Sequence, residues 1–425
     1  MNHMNPKTVT GLGIAAVLAL VAAVAITASR KPVDETTQAA AYVLPELRDH
    51  LNEIKTVTLT GAEDKPLVTL ERDGNGWTLK ERHGYPAEVA KLREWLLKLA
   101  DATLLEQKTA NEQRYAELGV GDLRDKDAKG VLVTLDGLGK PVRLIVGNLN
   151  TRGDGTFVRR AEDKQSWLAK GNLSVGKNVA DWLEKVLVDI PSTRVKEVVL
   201  SRPDGKMLRV SKQQSGDANF KVTDVPKGRE LASEFIANGL GSTLAALTME
   251  DVYPATEEDP SAHRKVHKAR YATFDGLVVE IEAWRQGDKT YARLTGDLDK
   301  ALAEAYIQSE QAREKADFEA KQKERAANNE QKTAEVKAVD DQTGTAKRDG
   351  PKTEEPPSLA ISDPAKDRQQ RLAALDKEAA GLKQRFAGWT FVLPLNKFSN
   401  IDKSLDDLLK PVEAKKVGVK KSPAH

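Results

Sequence analysis

Apolar and polar residues alternate along several short segments near the start of the chain. In "IKTVTLT", residues 54–60, Val57 and Leu59 alternate with threonines, which is the period of a strand with one buried face. "LVTLER" and "GWTLKE" follow it and are separated by "DGNG". Asp-Gly and Asn-Gly between alternating runs are typical of tight hairpins. The pattern therefore predicts three antiparallel strands over residues 54–81.

The spacing of apolar residues then changes to three and four in "YPAEVAKLREWLLKLA", residues 85–100. This period predicts an amphipathic helix, and Pro86 suits its first turn. The residues that share its apolar face are Val89, Leu92, Leu96 and Leu99. Farther along, "GVLVTLDGLGKPVRLIVG" predicts two strands joined by an Asp-Gly turn. "NVADWLEKVL", residues 178–187, predicts a helix with Asn178 at its N-cap.

The same patterns recur in the second half of the chain. "VKEVVLS" matches "IKTVTLT", "RYATFDGLVVEIEAW" matches "VLVTLDGLGKPVRLIV", and "KTYARL" matches "GTFVRR". "GWTFVLPLNKFSNIDKSLDDLL" aligns without a gap to "SWLAKGNLSVGKNVADWLEKVL" and places Trp389 on Trp167. A helix is predicted over residues 226–247, although Gly239 and Gly241 interrupt its face. Agreement of several segments in the same order predicts a tandem duplication of one α+β repeat.

An insertion with a different composition separates the last two segments of the second repeat. Residues 299–387 are rich in Ala, Glu, Lys and Gln, with opposite charges at i,i+4 spacing, and predict a charged helical hairpin. The predicted organisation is a membrane anchor 1–30, a spacer 31–53, repeat one 54–190, repeat two 191–298 and 388–410, the insertion 299–387, and a basic tail 411–425.

The N-terminal segment contains no charged residue over positions 8–29 and is long enough to cross a bilayer as a helix. It predicts an uncleaved transmembrane helix, which would make the chain a single-pass inner-membrane protein with its bulk in the periplasm. A cleaved signal peptide is the alternative, with Lys7 as its charged region. Positive charges lie on both sides of the segment, so they do not decide its orientation.

Composition excludes several classes of chemistry. The chain has no cysteine, which excludes disulfides and thiolate chemistry. A formal net charge of +2 gives no broad basic field, so no nucleic acid is predicted as a partner. No P-loop, dinucleotide fingerprint or nucleophile elbow occurs in the sequence. We therefore predict no catalytic residue, no cofactor, no metal ligand and no enzymatic activity.

A few polar residues still require an interpretation. His263 and His267 are spaced as metal ligands on a helix would be, but no third ligand accompanies them, so surface histidines are the simpler interpretation. The adjacent carboxylates in "MEDVYP" point apart on a helix or a strand, so they do not form a natural acid/base pair. The "RGD" of residues 152–154 is interpreted as part of a Gly-rich turn between strands. Asp136 and Asp275 stand in the two Asp-Gly turns, where a structural role is expected.

The chain resembles a bacterial family of unknown function. The resemblance rests on the apolar N-terminal segment, on "VTLTGAEDKPLVTLERDGNGWTLKERHGYPAEVAKLREWLLKLADATLLE", on "NEQRYAELGV" and on strand pairs that end in "TFVRR". It covers residues 54–298 and 388–409. Members of that family are membrane-anchored and are often encoded beside ABC transporters of the gliding-motility type. The resemblance implies no active-site residues, because the family supplies none.

Together these observations predict a membrane-anchored, extracytoplasmic accessory or scaffold protein. The resemblance implies association with an ABC-type transporter or an envelope complex, and the 299–387 arm is the predicted contact with such a partner. The alternative is a periplasmic module that binds a small ligand or a glycan in the cleft between the two repeats.

Overall fold

A computed structural model describes residues 41–74, 76–256, 265–339 and 358–411. Its strands are β1 (Thr56–Thr60), β2 (Pro66–Asp73), β3 (Gly76–Leu79), β4 (Tyr85–Pro86), β5 (Leu104–Gln107), β6 (Val131–Asp136), β7 (Val142–Leu149), β8 (Gly155–Arg160), β9 (Ser166–Lys170), β10 (Val186–Val188), β11 (Val195–Ser201), β12 (Met207–Ser211), β13 (Lys221–Val222), β14 (Leu247–Thr248), β15 (Asp251–Pro254), β16 (His267–Thr273), β17 (Leu277–Gln286), β18 (Lys289–Leu298) and β19 (Trp389–Val392). Its α-helices are α1 (Val89–Asp101), α2 (Tyr115–Leu118), α3 (Asn238–Gly241), α4 (Lys300–Val339), α5 (Leu359–Ser362), α6 (Pro364–Phe386) and α7 (Leu395–Ile401).

The described chain divides into two compact units. Unit 1 comprises residues 41–54, 61–65 and 94–175, and unit 2 comprises residues 55–60, 66–93 and the described residues from 176 onward. In unit 1 the strands pair antiparallel in the order β6-β7-β8-β9-β5. Unit 2 contains the run β4-β3-β2-β1, the pair β10-β14 and the sheet β13-β12-β11-β16-β17-β18-β19-β15.

The strand order of unit 1 occurs a second time in unit 2. The run β6-β7-β8-β9-β5 has the same succession as β16-β17-β18-β19-β15, and the two Asp-Gly turns join corresponding strands. Strand β19 is shifted relative to the ungapped sequence alignment that places Trp389 on Trp167. Trp167 lies opposite Val158, but Phe391 rather than Trp389 lies opposite the matching Ala292. Trp389 is therefore two residues out of register with Trp167, and the duplication itself stays a prediction.

The predicted fold class needs a correction at the N-terminus. The predicted transmembrane helix lies in residues 1–30, outside the described residues. Within the part of the chain that the structure describes, no helix combines the length and the apolar character needed to cross a bilayer. The predicted anchor, the membrane as a partner and the single-pass inner-membrane location are corrected to this finding, since no described helix supports them. The observed architecture is large antiparallel sheets with some helices.

Two further helices are shorter than predicted, because their backbone groups bond elsewhere. Residues 178–187 form only the 3-10 helix Val179–Trp182, with Asn178 at its N-cap, and then enter strand β10. Residues 226–247 contain only the short helix α3. There the N–H of Ala232 donates to the carbonyl of Leu408, beside an isolated β-bridge between Leu231 and Leu409. A Cβ at Gly241 would lie 2.1 Å from the Phe220 ring, and this contact explains the glycine.

The insertion 299–387 contains helices α4, α5 and α6. Helix α6 packs on the sheet of unit 2, and the start of α4 packs against α6 and the β16–β17 turn. Helix α6 crosses strand β18 at Gly296, where an added Cβ would lie 2.6 Å from Cβ of Leu382. The buried stripe of α6 consists of Leu375, Ala379, Leu382 and Phe386. Burying such side chains stabilises a fold by about 1.5–3 kcal/mol for each large residue. The stripe therefore attaches the insertion firmly to the sheet.

Candidate functional site

A concave feature of unit 1 lies at the tip of the β6–β7 hairpin. It is an open groove of about 600 Å³, lined by Glu46, Leu138, Gly139, Lys140, Pro141, Val142, Arg143, Arg160 and Glu162. The turn forms because Gly137 and Gly139 have φ values of 116° and 77°, which residues with a Cβ rarely adopt. The groove volume falls within the range of ligand sites in proteins.

Two ion pairs span the polar rim of this groove. Arg160 donates to a carboxylate oxygen of Glu46, and each side chain is 37% exposed. Arg143 donates to Glu162 across 3.5 Å, with exposures of 46% and 60%. Pairs this exposed contribute about 0–1 kcal/mol. They can therefore open at little cost when another charged group arrives.

A smaller pocket of about 250 Å³ adjoins the groove and shares Arg160 with it. Tyr42 and Trp167, both half-buried, give this pocket aromatic walls. Gln165 adds an amide, which accepts a 2.8 Å hydrogen bond from Gln107. Aromatic faces next to planar polar groups can hold a ring that carries hydroxyl groups.

Asp275, in the second Asp-Gly turn, takes part in a structural ion-pair cluster. Arg194 donates to Asp275 across 2.8 Å and to both carboxylate oxygens of Glu378, on helix α6, across 2.7 Å. Hydrogen bonding to Glu378, and then the charge of Asp275, raise the pKa of Arg194 above its ordinary value. The cluster joins the turn to the insertion, so Asp275 serves structure as expected. Its counterpart Asp136 precedes the turn that lines the groove of unit 1.

Asp251, from "MEDVYP", is also held in an ion pair. Arg82 donates to both of its carboxylate oxygens, across 2.7 and 2.9 Å, and the Tyr253 hydroxyl donates across 3.1 Å. Burial opposes ionisation of Asp251, but the hydrogen bonds from Arg82 and Val252 outweigh it and lower its pKa. Lys289 donates to the Tyr253 hydroxyl across 3.0 Å. The chain of contacts joins strand β15 to the 3-10 helix Lys80–Arg82 within unit 2.

Of the candidate histidine pair, His263 lies outside the described residues. His267 begins strand β16 and is buried, not exposed as expected. Its Nδ1 lies 3.3 Å from Oδ1 of Asp402 without hydrogen-bond geometry, while Arg202 donates to the same oxygen across 3.2 Å. Among the described residues no group of three or more ligand-type side chains is placed to hold a metal ion.

The pH dependence of stability is predicted to reflect His267. Burial lowers its pKa below 6.5, and Arg202 acts in the same direction, against Asp402 and Asp204. The folded protein then binds this proton less readily than the unfolded chain does. The contribution of His267 to the free energy of unfolding is fully present above about pH 6.5 and is lost as the pH falls through the lowered pKa.

We expect the free energy of unfolding to fall between about pH 6.5 and pH 5, above the range in which most carboxylates titrate. Urea unfolding at several pH values measures this slope, and His267→Gln should flatten it. The control is His50→Gln, because hydrogen bonding to Glu53 raises the pKa of His50, and that contribution has the opposite sign. An unchanged slope in His267→Gln would contradict the assignment.

Reasoning from the sequence did not single out Arg159, the buried residue beside Arg160. Its guanidinium donates to the Val120 carbonyl across 2.9 Å and to the Asp163 carbonyl across 3.0 Å, and it lies 4.6 Å over the Tyr115 ring. It therefore binds the "YAELGV" segment to strand β8. A signal was present in "TFVRR", because adjacent strand residues point to opposite faces, so one of the two arginines must point inward.

The "RGD" tripeptide lies in the turn between β7 and β8, as expected. Gly153 has a φ of 75°, and Asn150 donates to the Asp154 carboxylate across 2.5 Å. Local hydrogen bonds of this kind are typical of turns that connect strands. The geometry gives the tripeptide a structural role.

Comparisons with known proteins give a family match only. No curated protein and no solved structure matches the chain. A family described as a domain of unknown function, DUF4340, matches residues 77–267. The match runs from strand β3 to the start of β16 and includes the hairpin turn of the groove. The chain is thus similar to DUF4340 over residues 77–267.

Proposed function

We propose that this chain is a non-catalytic accessory protein, which holds a partner protein on a β-sheet scaffold. The observation that carries the proposal is the open groove of about 600 Å³ at the tip of the β6–β7 hairpin. Its apolar side includes Leu138 and Val142, and its rim carries exposed charges that are easily rearranged. Grooves with an apolar floor and a polar rim are typical of protein-binding sites.

The contacts of buried and half-buried arginines elsewhere in the protein support a scaffold role. Arg82, Arg159 and Arg194 are each engaged by carboxylates or carbonyls from other elements of their own unit. These contacts hold strands, turns and helices in place. A catalytic group, by contrast, is expected to face a cleft with a perturbed pKa.

We further propose that this partner belongs to an ABC-type transporter or an envelope complex. Its support is the sequence resemblance described above, which is an association and not a geometric argument. A second candidate function is binding of a small ligand or a glycan. Tyr42 and Trp167 in the 250 Å³ pocket favour it, although that volume is below the usual range for ligand sites.

One experiment separates these proposals. The full chain, affinity-tagged and expressed in the cells it comes from, is captured after chemical crosslinking, and mass spectrometry identifies what accompanies it. An accessory protein should recover the same partner in every replicate, at a ratio near one to one, relative to the tag alone. A ligand module should recover no protein, and a glycan panel should raise its melting temperature. Recovery of nothing above the tag-only control would contradict the accessory function.

A further inference from the structure

The smaller pocket of unit 1 has an aliphatic floor and an aromatic wall. Leu144 and Val158 form the floor, and each side chain is buried. Trp167, on strand β9, lies opposite Val158 and lines the pocket beside this floor. The cavity measures about 250 Å³, which corresponds to the volume of about eight water molecules in the liquid. The pocket therefore has room for one ring with its substituents.

The corresponding position in unit 2 is filled by an aromatic ring. Phe391 lies opposite Ala292, which corresponds to Val158 when the "TYARL" and "TFVRR" segments are matched. The ring of Phe386 packs edge-on against Phe391, with 6.2 Å between the ring centres and 78° between the planes. Phe391 is fully buried, whereas Trp167 is half-buried and lines a cavity. This place in the strand order therefore accepts an aromatic ring in edge-to-face packing.

Tyr42 forms a second aromatic wall of the pocket, and its position is fixed before any ligand binds. The N–H of Leu104 donates to the carbonyl of Ala41 across 2.8 Å. The guanidinium of Arg48 lies 4.2 Å over the Tyr42 ring. A wall that is already ordered loses little conformational entropy when an occupant arrives.

The mouth of the pocket carries a carboxylate that can accept a hydrogen bond. The N–H of Asp163 donates to the carbonyl of Arg160 across 3.0 Å, and the Asp163 carbonyl accepts from Arg159 across 3.0 Å. The Asp163 carboxylate is exposed and forms no ion pair with any residue that the structure describes. Arg160, by contrast, is held by Glu46. The available charge is therefore negative, and it favours an occupant that donates a hydrogen bond.

The number of polar groups distinguishes a phenol from a sugar as the occupant. A sugar ring carries hydroxyl groups around its edge, and those that face an aliphatic floor would lose hydrogen bonds to water without replacement. A phenol carries one hydroxyl, which can remain at the mouth beside Asp163 while the ring enters the pocket. The floor and the single carboxylate therefore favour the phenol.

We propose that this pocket receives the phenol ring of a tyrosine from the partner protein, with the ring against Trp167 and the hydroxyl donating to Asp163. The pocket shares Arg160 with the open groove, so a partner that lies in the groove can reach it. Aromatic side chains that fill a pocket are typical anchors of protein interfaces. This inference rests on the proposed accessory function, and it adds the anchor residue and the surface that receives it.

Small probes test the pocket without knowledge of the partner. The full chain is titrated with p-cresol, with toluene and with methyl glucoside, and binding is followed by saturation-transfer NMR. We expect p-cresol to bind with a Kd on the order of 1 mM. Toluene should bind about threefold more weakly or worse, because it lacks the hydroxyl. Tighter binding of methyl glucoside than of p-cresol would overturn the inference, as would the absence of saturable binding of p-cresol.

Two variants of strand β5 assign the binding to this pocket. Leu104→Trp should weaken p-cresol binding about tenfold or more, because Leu104 lines the pocket and the larger ring fills it. Leu105→Trp is the matched control, since Leu105 is 49% exposed and does not line the pocket. Asp163→Ala should remove the preference for p-cresol over toluene. Circular dichroism checks that the variants are folded, and equal binding by the two tryptophan variants would contradict the assignment.

Photo-crosslinking in cells then tests whether a tyrosine is the natural anchor. Benzoylphenylalanine replaces the exposed Pro45, which lines the pocket, and the adduct should map to a partner segment that contains a tyrosine. A segment without a tyrosine would overturn the inference. In crosslinked capture, Leu104→Trp should lose a partner that Leu105→Trp retains. If both variants retain the partner, the pocket assignment fails and the accessory function stands.

Discussion

Replacing Arg159 with methionine is expected to lower the free energy of unfolding of unit 1 by about 3 kcal/mol. The methionine retains an apolar stem but removes the donors to the carbonyls of Val120 and Asp163. The arginine side chain is only 5% exposed, so water cannot easily replace it. A charged hydrogen bond contributes about 1.5–3 kcal/mol, and an unsatisfied buried acceptor costs about 1–3 kcal/mol.

Urea unfolding followed by circular dichroism measures the loss. Arg143→Met is the matched control, because this arginine also lies on the unit 1 sheet but is 46% exposed and pairs with the exposed Glu162. The control should change stability by about 0–1 kcal/mol. Equal losses in the two variants would show that Arg159 does not hold the "YAELGV" segment in place.

The structural role of the "YAELGV" segment depends on close backbone contacts that amino-acid composition does not reveal. A Cβ at Gly147 would lie 2.4 Å from the Leu118 carbonyl oxygen, and one at Gly130 would lie 2.4 Å from the Gly119 carbonyl oxygen. Tyr115, Val120 and Leu123 then form one cluster with residues from strands β6 and β7. The motif that carries the family resemblance is therefore a packing motif in this chain.

Local patterns predicted the elements whose hydrogen bonds are local. The alternation in "IKTVTLT" corresponds to strand β1, and "DGNG" corresponds to the turn in which Asp73 pairs with Gly76. The helix predicted over residues 85–100 begins only at Val89, because Tyr85 and Pro86 pair with strand β3. The N–H of Glu88 also donates to the Trp182 carbonyl, and the N–H of Glu184 donates to the Pro86 carbonyl. The propensity for helix is therefore overridden by hydrogen bonds to a segment about 95 residues away, which the local sequence does not show.

The groove could not be predicted for a similar reason. Glu46 and Arg160 are 114 residues apart in the chain, and only the folded sheet brings them together. The Asp-Gly pair predicts the β6–β7 turn, but it does not predict which segments pack against that turn. In unit 2 the start of the insertion packs against the β16–β17 turn. The sequence indicates that the insertion exists but not where it packs.

Replacing Gly296 with alanine is expected to displace helix α6 from strand β18 and to lower the stability of unit 2 by about 1–3 kcal/mol. The added methyl group would lie 2.6 Å from Cβ of Leu382. That atom cannot rotate away, since it is bonded directly to the helix backbone. The helix must therefore shift, and the shift also strains the contact between Glu378 and Arg194.

Limited proteolysis together with urea unfolding measures both effects. In Gly296→Ala we expect faster cleavage within residues 364–386 and a lower midpoint of unfolding. Gly381→Ala is the matched control on the same helix, because no atom lies within 4 Å of its added Cβ. In a helix interior this change should stabilise by up to about 1 kcal/mol. Unchanged cleavage in Gly296→Ala would mean that helix α6 tolerates the methyl group without moving, and would contradict close packing between Gly296 and Leu382.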